Sequence, residues 1–547
     1  MQNSKIHLIP FICLVLLFPV ASHVFAETAD PKRPNIVFIM TDDQSSIPVL
    51  EEICNQSRPF GFNGDRHVYT PTIDSLARKG MIFPRAYVSS SVCSPSRYSI
   101  LSGRYAGRCE GTSFMSSFPY GTQTRIENNT ELEEDRDNLP RLLQKAGYRT
   151  GFVGKSHVVD HKLLSRKNWE ENGFLSYDYD ADPNDPQVSA AMSHNHKIWA
   201  GRIQEYGFSY VNAVYAANLR ELYNDSLNVH NIEWKVRAAL EFIEDSDEEP
   251  FFLYYSETVP HGPAPWGKPG GRYKYGLDAN PQFTGEGYVD DDFDFMPPRA
   301  KIQAEVEANG KDPDHAWLRW FDQAVGAIVL KLKEKGKLEN TLIVLTSDHG
   351  NYDFGKSTLY EGGVKVPLLM YWPAVIQAGS IYDELVQNID YAPTFLELAG
   401  VRPDPGYQMD GTSLRGVFEG SRKPLHDYLY FEMGFARGVA TKEWKYISVR
   451  YDEKTQKQVD EGVVFKGWND HEHALPYYIR NSHLGYHAAL LNPHYFERDQ
   501  LFDMKNDPGE DQNLSGKNPK MEKKMKQLLL KSLKSFPDRP YGEFVQK

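Results

Sequence analysis

The chain has 547 residues, 40% of them hydrophobic and 13% aromatic, which is the make-up of a folded globular protein and excludes an intrinsically disordered one. That length suits one large α/β domain with a smaller companion. A formal net charge of −13 argues against a nucleic-acid partner.

Residues 1–26 read as an export signal. Lys5 is the short basic start, Ile6 to Val20 the apolar core, and Val24-Phe25-Ala26 a small-residue cleavage site. Pro10 and Pro19 interrupt the apolar stretch, which is too short for a membrane anchor, and no later segment is long and apolar enough for a membrane span. The expected location is the periplasm or the extracellular space (lysosomal or secreted in a eukaryote). After cleavage Cys54, Cys93 and Cys109 remain, an odd number.

Asn35 to Met40 is a continuous apolar run, as expected of a strand buried on both faces, and it ends at Thr41-Asp42-Asp43. Thr72 to Lys79 reads as a helix closed by Gly80. Cys93 opens a short helix with Pro95 in its first turn and Gly103 at its end. A group at that position is expected to face free backbone N–H groups, with Arg97 one turn on along the same face. Taken alone, Cys93 is a buried thiol or half of a disulfide. The spacing Cys-x-Pro-x-Arg points instead to a reactive group that meets an anion.

Asn138 caps another helix, with Pro140 near its start and Gly147 at its end. A strand from Arg149 to Val153 then delivers Gly154-Lys155-Ser156-His157. Phe251 to Tyr255 is a third strand and leads to Pro260-His261-Gly262-Pro263. Trp317 to Lys335 is an amphipathic helix with Trp317, Phe321, Ala324, Ile328 and Leu332 on one face. Thr341 to Thr346 is a fourth buried strand, ending at Ser347-Asp348-His349-Gly350, and Pro367 to Trp372 is a fifth. The lysine-rich helix Met521 to Phe536 is expected to dock a face of Met525, Leu528, Leu529 and Phe536 on the domain.

Strands alternating with helices imply an α/β fold whose sheet is mainly parallel and sandwiched by helices. Ligands bind beyond the carboxyl ends of such strands. Each of the first four strands ends in candidate chemistry. Asp42 with Asp43, and Asp348 with His349, make a metal site, since adjacent carboxylates repel unless a cation lies between them. Ca2+ is the first choice; one imidazole leaves Mg2+, manganese or zinc open. Charges more than ~8 Å away are largely screened at physiological salt. An acidic chain that handles an anion therefore needs local positive charge from Arg97, lysines and a metal.

Together these motifs resemble the type I, formylglycine-dependent sulfatases of the alkaline-phosphatase superfamily, from Pro34 to about Leu514. Asn35-Ile-Val-Phe-Ile-Met-Thr-Asp-Asp43 is similar to the opening strand, Cys93 to Arg97 with Leu101-Ser-Gly-Arg104 to the first signature, and Gly147 to His157 to the second. Asn340 to Gly350 is similar to the second metal-binding strand. Gly355-Lys356 with Tyr360 to Pro367 resembles the segment of the sulfate-binding lysine, and Leu501-Phe-Asp503 with Asn506-Asp-Pro508 the closing motif.

The resemblance implies that Cys93 is oxidised to formylglycine (3-oxoalanine) by a formylglycine-generating maturation enzyme. Asp42, Asp43, Asp348, His349 and an oxygen of modified Cys93 would hold the cation. His349 stands where many members have Asn. Arg97 and Lys155 would hold the formylglycine, Lys155 and Lys356 would bind sulfate oxygens, and His157 and His261 would move protons. One hydroxyl of the hydrated aldehyde attacks sulfur, and the second lets sulfate leave. The same resemblance divides the chain into a signal peptide (1–26), a catalytic domain (27–425) and a smaller C-terminal α+β subdomain (426–547). If Cys93 is converted, Cys54 and Cys109 are left as a pair that sequence alone does not join.

The implied activity is hydrolysis of sulfate esters on a sulfated carbohydrate. Two longer stretches, Asp160 to Asn212 and Asp452 to Arg498, suit sugar binding or a surface elaboration packed on itself. The second holds Trp468, His471, His473, Tyr477, Tyr478, His483, Tyr486, His487, His494 and Tyr495. The acidic run Asp290-Asp-Asp-Phe-Asp294 lacks the Gly of an EF-hand and reads as a solvated loop. Two other readings stand beside the sulfatase: a phosphonate or phosphate-ester hydrolase of the same superfamily, and a non-catalytic, calcium-dependent glycan-binding protein.

Overall fold

The computed structural model describes residues 33–47, 58–262, 276–352, 355–462, 465–466, 472–473, 488–489 and 491–545. The export signal, Cys54 and most of the aromatic and histidine-rich stretch between 463 and 490 lie outside the described residues.

The main sheet contains β1 (Asn35–Asp42), β2 (Met81–Ile82), β3 (Arg149–Lys155), β4 (Tyr210–Tyr215), β5 (Phe251–Pro260), β6 (Thr341–Ser347), β7 (Leu368–Tyr371) and β8 (Ser380–Ile381). Their order is β8-β2-β7-β6-β1-β5-β3-β4. The five from β6 to β4 run parallel, while β7 is antiparallel to both β6 and β2. All eight residues of β1 are buried. Ile36, Phe38 and Met40 enter one core, and Val37 and Ile39 the other. A strand covered on both faces has no polar side to alternate with, which is why its sequence is an unbroken apolar run.

Helices cover both faces. On one side lie α1 (Pro71–Lys79), α3 (Ile232–Glu244) and α4 (Ala316–Glu334); on the other lie α2 (Cys93–Ser102) and α5 (Tyr391–Leu398). The whole expected face of α4, from Trp317 to Leu332, is buried. Gly103 ends α2 in the left-handed conformation, its N–H donating to the Ser99 carbonyl.

A second sheet of four antiparallel strands, β9 (Leu429–Met433), β10 (Ala436–Ala440), β11 (Trp444–Val449) and β12 (Asp499–Asp503), carries α6 (Pro519–Leu533). Met525, Leu529, Leu533 and Phe536 pack with Tyr430, Val439 and Tyr446 of that sheet, and Leu528 sits at the margin.

Within Asp160 to Asn212, short turns precede a helix over Pro186–Gln204. Trp169 is buried there against Phe174, Tyr177 and Tyr223, so its own face packs on protein. In the acidic run, Asp291 accepts from the Phe293 N–H and Phe293 is buried. No helix among the described residues is long and apolar enough to cross a membrane.

Candidate active site

Four neighbouring parallel strands, in the order β6, β1, β5 and β3, bring their carboxyl ends to one edge. Asp348 and His349 follow β6, Asp42 and Asp43 close β1, His261 follows β5, and Lys155 and His157 close β3. Register places Asp42 opposite Pro260 and Thr41 opposite Ser347, and the Asp348 N–H donates to the Thr41 carbonyl at 3.0 Å. Cys93 reaches the same edge from the first turn of α2 and is 1% exposed.

Asp42, Asp43, Cys93 and His349 each present a ligand-type atom within 4.8 Å of the others, the one such group among the described residues. Cys93 Sγ, standing where a modified residue would place oxygen, is 3.7 Å from Asp42 Oδ1 and 3.5 Å from His349 Nε2. Asp348 lies beside them: its Oδ1 accepts from the Asp43 N–H at 3.2 Å and is 3.7 Å from His349 Nε2. Burial raises the Asp43 carboxyl, with Lys356 and His349 opposing. Burial would lower His349, but Asp348 and Asp43 outweigh it and raise the imidazole to about 9. The negative charge that raises His349 is charge that a divalent cation also balances. Hard carboxylate oxygens, one imidazole and the atom at residue 93 form a suitable donor set.

Arg97 is fully buried and all its N–H groups are spent. Nε donates to Asp348 Oδ2 at 3.1 Å. Nη1 donates to the Lys155 carbonyl at 2.9 Å and Ser256 Oγ at 2.5 Å, and Nη2 to Asp42 Oδ2 at 3.0 Å and Asp348 Oδ2 at 2.9 Å. It braces the two carboxylates that flank the site. The start of α2 is also less open than its sequence implies. The Ser94 N–H donates to Asn128 Oδ1 at 3.0 Å, Pro95 has none, and the Ser96 N–H donates to the Val92 carbonyl.

Two lysines, each ion-paired with one of the adjacent aspartates, bring further positive charge to the site. Lys155 Nζ is 2.5 Å from Asp42 Oδ2, 3.5 Å from Cys93 Sγ and 2.8 Å from Asn218 Oδ1. Lys356 Nζ donates to Asp43 Oδ1 at 2.7 Å. Burial alone would raise the Asp42 carboxyl, but Lys155, His261, Arg97 and Lys356 together hold it well below the usual carboxylate range.

His157 and His261 are the two imidazoles expected to move protons. Burial, then Lys155 and His161, push His157 well below its ordinary value. Burial, then Lys356 and Lys155, do the same to His261. Asp43, His157 and Ser357, the last next to Lys356, all have positive φ, between 53° and 72°. Such backbone costs ~1–3 kcal/mol per residue and is found where structure around a site over-determines it. Here the His157 N–H donates to the Ala216 carbonyl at 2.7 Å.

The sequence reading missed Asn218, Ser256, Asn128 and His161. Asn218 follows β4, whose short pattern, Tyr210 to Tyr215, was not read as a strand; an Asn three residues past such a strand was the available signal. His161 packs against His157 with ring centres 5.6 Å apart. Cys109 Sγ is buried 3.4 Å from the Glu131 carbonyl.

Known proteins resemble the chain in sequence and in fold. The sulfatase family model matches residues 34–401, and the C-terminal model of N-sulphoglucosamine sulphohydrolase matches residues 347–462. The chain is 28% identical to N-acetylgalactosamine-6-sulfatase of Mus musculus over 410 residues, covering 70% of this chain and 66% of that enzyme. It is 25% identical to N-acetylglucosamine-6-O-sulfatase of Bacteroides thetaiotaomicron, with 96% of this chain and 92% of that one covered. Its fold is similar to a structure solved in work on the metabolism of multiple glycosaminoglycans by Bacteroides thetaiotaomicron. There the TM-score is 0.60 at 18% identity, over 92% of this chain and 99% of that one.

Proposed function

The chain belongs to the sulfatase family, the sulfuric ester hydrolases, and from that premise we propose that it removes sulfate from a sulfated carbohydrate with a formylglycine made from Cys93. The observation that carries this reading is the convergence of Asp42, Asp43, Cys93, His349 and two lysines at the carboxyl edge of four parallel strands. Relatives named for N-acetylgalactosamine-6-sulfate and N-acetylglucosamine-6-O-sulfate support a carbohydrate substrate. They make a 6-O-sulfated amino sugar the first compound to assay.

We assign the cation to Asp42, Asp43, Asp348, His349 and an oxygen of converted residue 93, with Ca2+ favoured by the oxygen-rich set. When bound, such an ion lowers the pKa of a hydroxyl on the hydrated aldehyde and makes it a nucleophile near neutral pH. Lys155 and Lys356 meet the charge of the sulfuryl group as it transfers. His261 protonates the departing ester oxygen. His157 takes the proton of the second hydroxyl, so that sulfate leaves and the aldehyde returns. A serine or an unconverted thiol lacks that second hydroxyl. Arg97 holds Asp42 and Asp348 in place and has no donor left for substrate.

Maturation by a formylglycine-generating enzyme and export through residues 1–26 belong to the same proposal. So does the division into a catalytic domain, 27–425, and a C-terminal subdomain, 426–547. Mass spectrometry of the peptide containing residue 93, from protein made in its native host, tests the nucleophile. Turnover of 6-O-sulfated N-acetylhexosamines against an aryl phosphate tests the reaction; an unconverted thiol in fully active enzyme, or a strong preference for phosphate, overturns it.

A further inference from the structure

Behind His261 lies a buried polar chain that the reaction above does not use. His230 precedes α3 and is buried. Its Nδ1 is 2.8 Å from Thr258 Oγ1, and its ring lies close to the backbone of His261. Thr258 Oγ1 also accepts from Lys235 Nζ at 2.9 Å. Lys235 stands on the first turn of α3 and is ion-paired with Glu257 Oε1, both side chains fully buried. Glu257 accepts in addition from the Thr258 N–H at 2.7 Å and from Tyr255 Oη at 3.0 Å.

Proton counting orders the network. Lys235 fills one lone pair of Thr258 Oγ1, so the hydroxyl proton goes to His230 Nδ1 at 2.8 Å or to Glu257 Oε1 at 3.2 Å. The shorter contact assigns it to His230 Nδ1, which leaves the ring proton on Nε2. Burial, and Lys235 nearby, lower His230 to about 3, so it stays a neutral spacer at working pH.

A buried ion pair adds little stability over an apolar pair of the same volume, but it defines geometry closely. This one joins α3 to Glu257 of β5, four residues before His261. We propose that His230 is a positioning residue for the acid: through Thr258, Lys235 and Glu257 it ties the His261 peptide to α3 and sets where the imidazole meets the leaving oxygen. This rests on the assignment of His261 as that acid.

The test uses leaving-group dependence in the full-length, matured enzyme. An alkyl sulfate of a sugar needs a proton on its departing oxygen, whereas 4-nitrophenyl sulfate expels 4-nitrophenolate readily as the anion. His230→Leu is expected to lower kcat on the sugar sulfate by ~10- to 100-fold, the scale of a misplaced catalytic group. KM, and kcat on 4-nitrophenyl sulfate, should change by less than ~3-fold on the same reasoning. His230→Gln, which can still hydrogen-bond to Thr258 Oγ1, should recover most of the loss. Thr258→Val repeats the test should His230→Leu fold poorly. Equal losses on both substrates, or none on the sugar sulfate, overturn the proposal. His261→Gln is the control: if its own loss does not depend on the leaving group, the acid assignment falls and takes the proposal with it. If His261→Gln shows the dependence and neither His230→Leu nor Thr258→Val does, the positioning role alone is refuted.

Discussion

Arg97→Met removes a guanidinium that is fully buried while keeping a flexible stem of similar reach. The lost contacts are three to carboxylate oxygens, at 2.9, 3.0 and 3.1 Å, and two to the Lys155 carbonyl and Ser256. At an effective dielectric of about 20, each charge pair near 3 Å attracts by ~5 kcal/mol. Desolvation of the same charges offsets much of this. The relevant magnitude is therefore the ~3–5 kcal/mol measured when one partner of a buried pair is removed. Asp42 and Asp348 are left facing each other across the site, and affinity for Ca2+ should fall by ~10- to 100-fold because the groups that hold it lose their orientation. Arg97→Lys keeps the charge but not the fork, and should recover less than half of the loss. Denaturant unfolding in chelator gives the stability term, and calcium titration of the folded protein gives the affinity. If Arg97→Met unfolds within ~0.5 kcal/mol of the parent, as an ordinary surface substitution would, and binds Ca2+ unchanged, Arg97 does not brace the site.

Cys93→Ala should abolish turnover with circular dichroism and the unfolding midpoint nearly unchanged; substantial residual activity contradicts a nucleophile at that residue. The histidines predict an acid-shifted profile. As the proposed acid, His261 must be protonated to act, and its pKa is lowered by burial and Lys356, so kcat/KM should fall as pH rises through a value below 6.5. Bound sulfate ester counters Lys356, which should place the falling limb of kcat at higher pH; a kcat/KM that climbs from pH 6.5 to 8 is the refuting result. Gly154→Ala places a Cβ 1.8 Å from the Ser256 carbonyl oxygen at a φ of +97°. It should cost ~2 kcal/mol or more, and an unchanged thermal midpoint would refute the close approach of β3 to β5.

Much of the site was legible because its residues punctuate local patterns. Asp42, Lys155 and Asp348 each end a buried strand, and Gly103 and Gly80 close the helices their positions announce. β3 and β5 run further than their apolar cores suggest, to Lys155 and Pro260, because pairing with neighbours carries polar residues into the sheet. β2, β4 and β8 are short or half-polar, and their pairing partners, not their composition, make them strands.

The assignment of Arg97 shows where local reading ends. Its position one turn after Cys93 implied a cation for the substrate, yet its acceptors are 55 and 251 residues away in sequence. Those acceptors become neighbours only because β6, β1, β5 and β3 are adjacent. Likewise, nothing around His230 announces a link to His261; α3 must first pack beneath β5.

By itself, then, the order of apolar runs and the residues that end them determined the central buried strands, the chemistry at their ends and the family. Which donor meets which acceptor there was decided only by strand order and register, because hydrogen bonds and ion pairs act over about 3 Å, while the groups that make them are dispersed along hundreds of residues of chain.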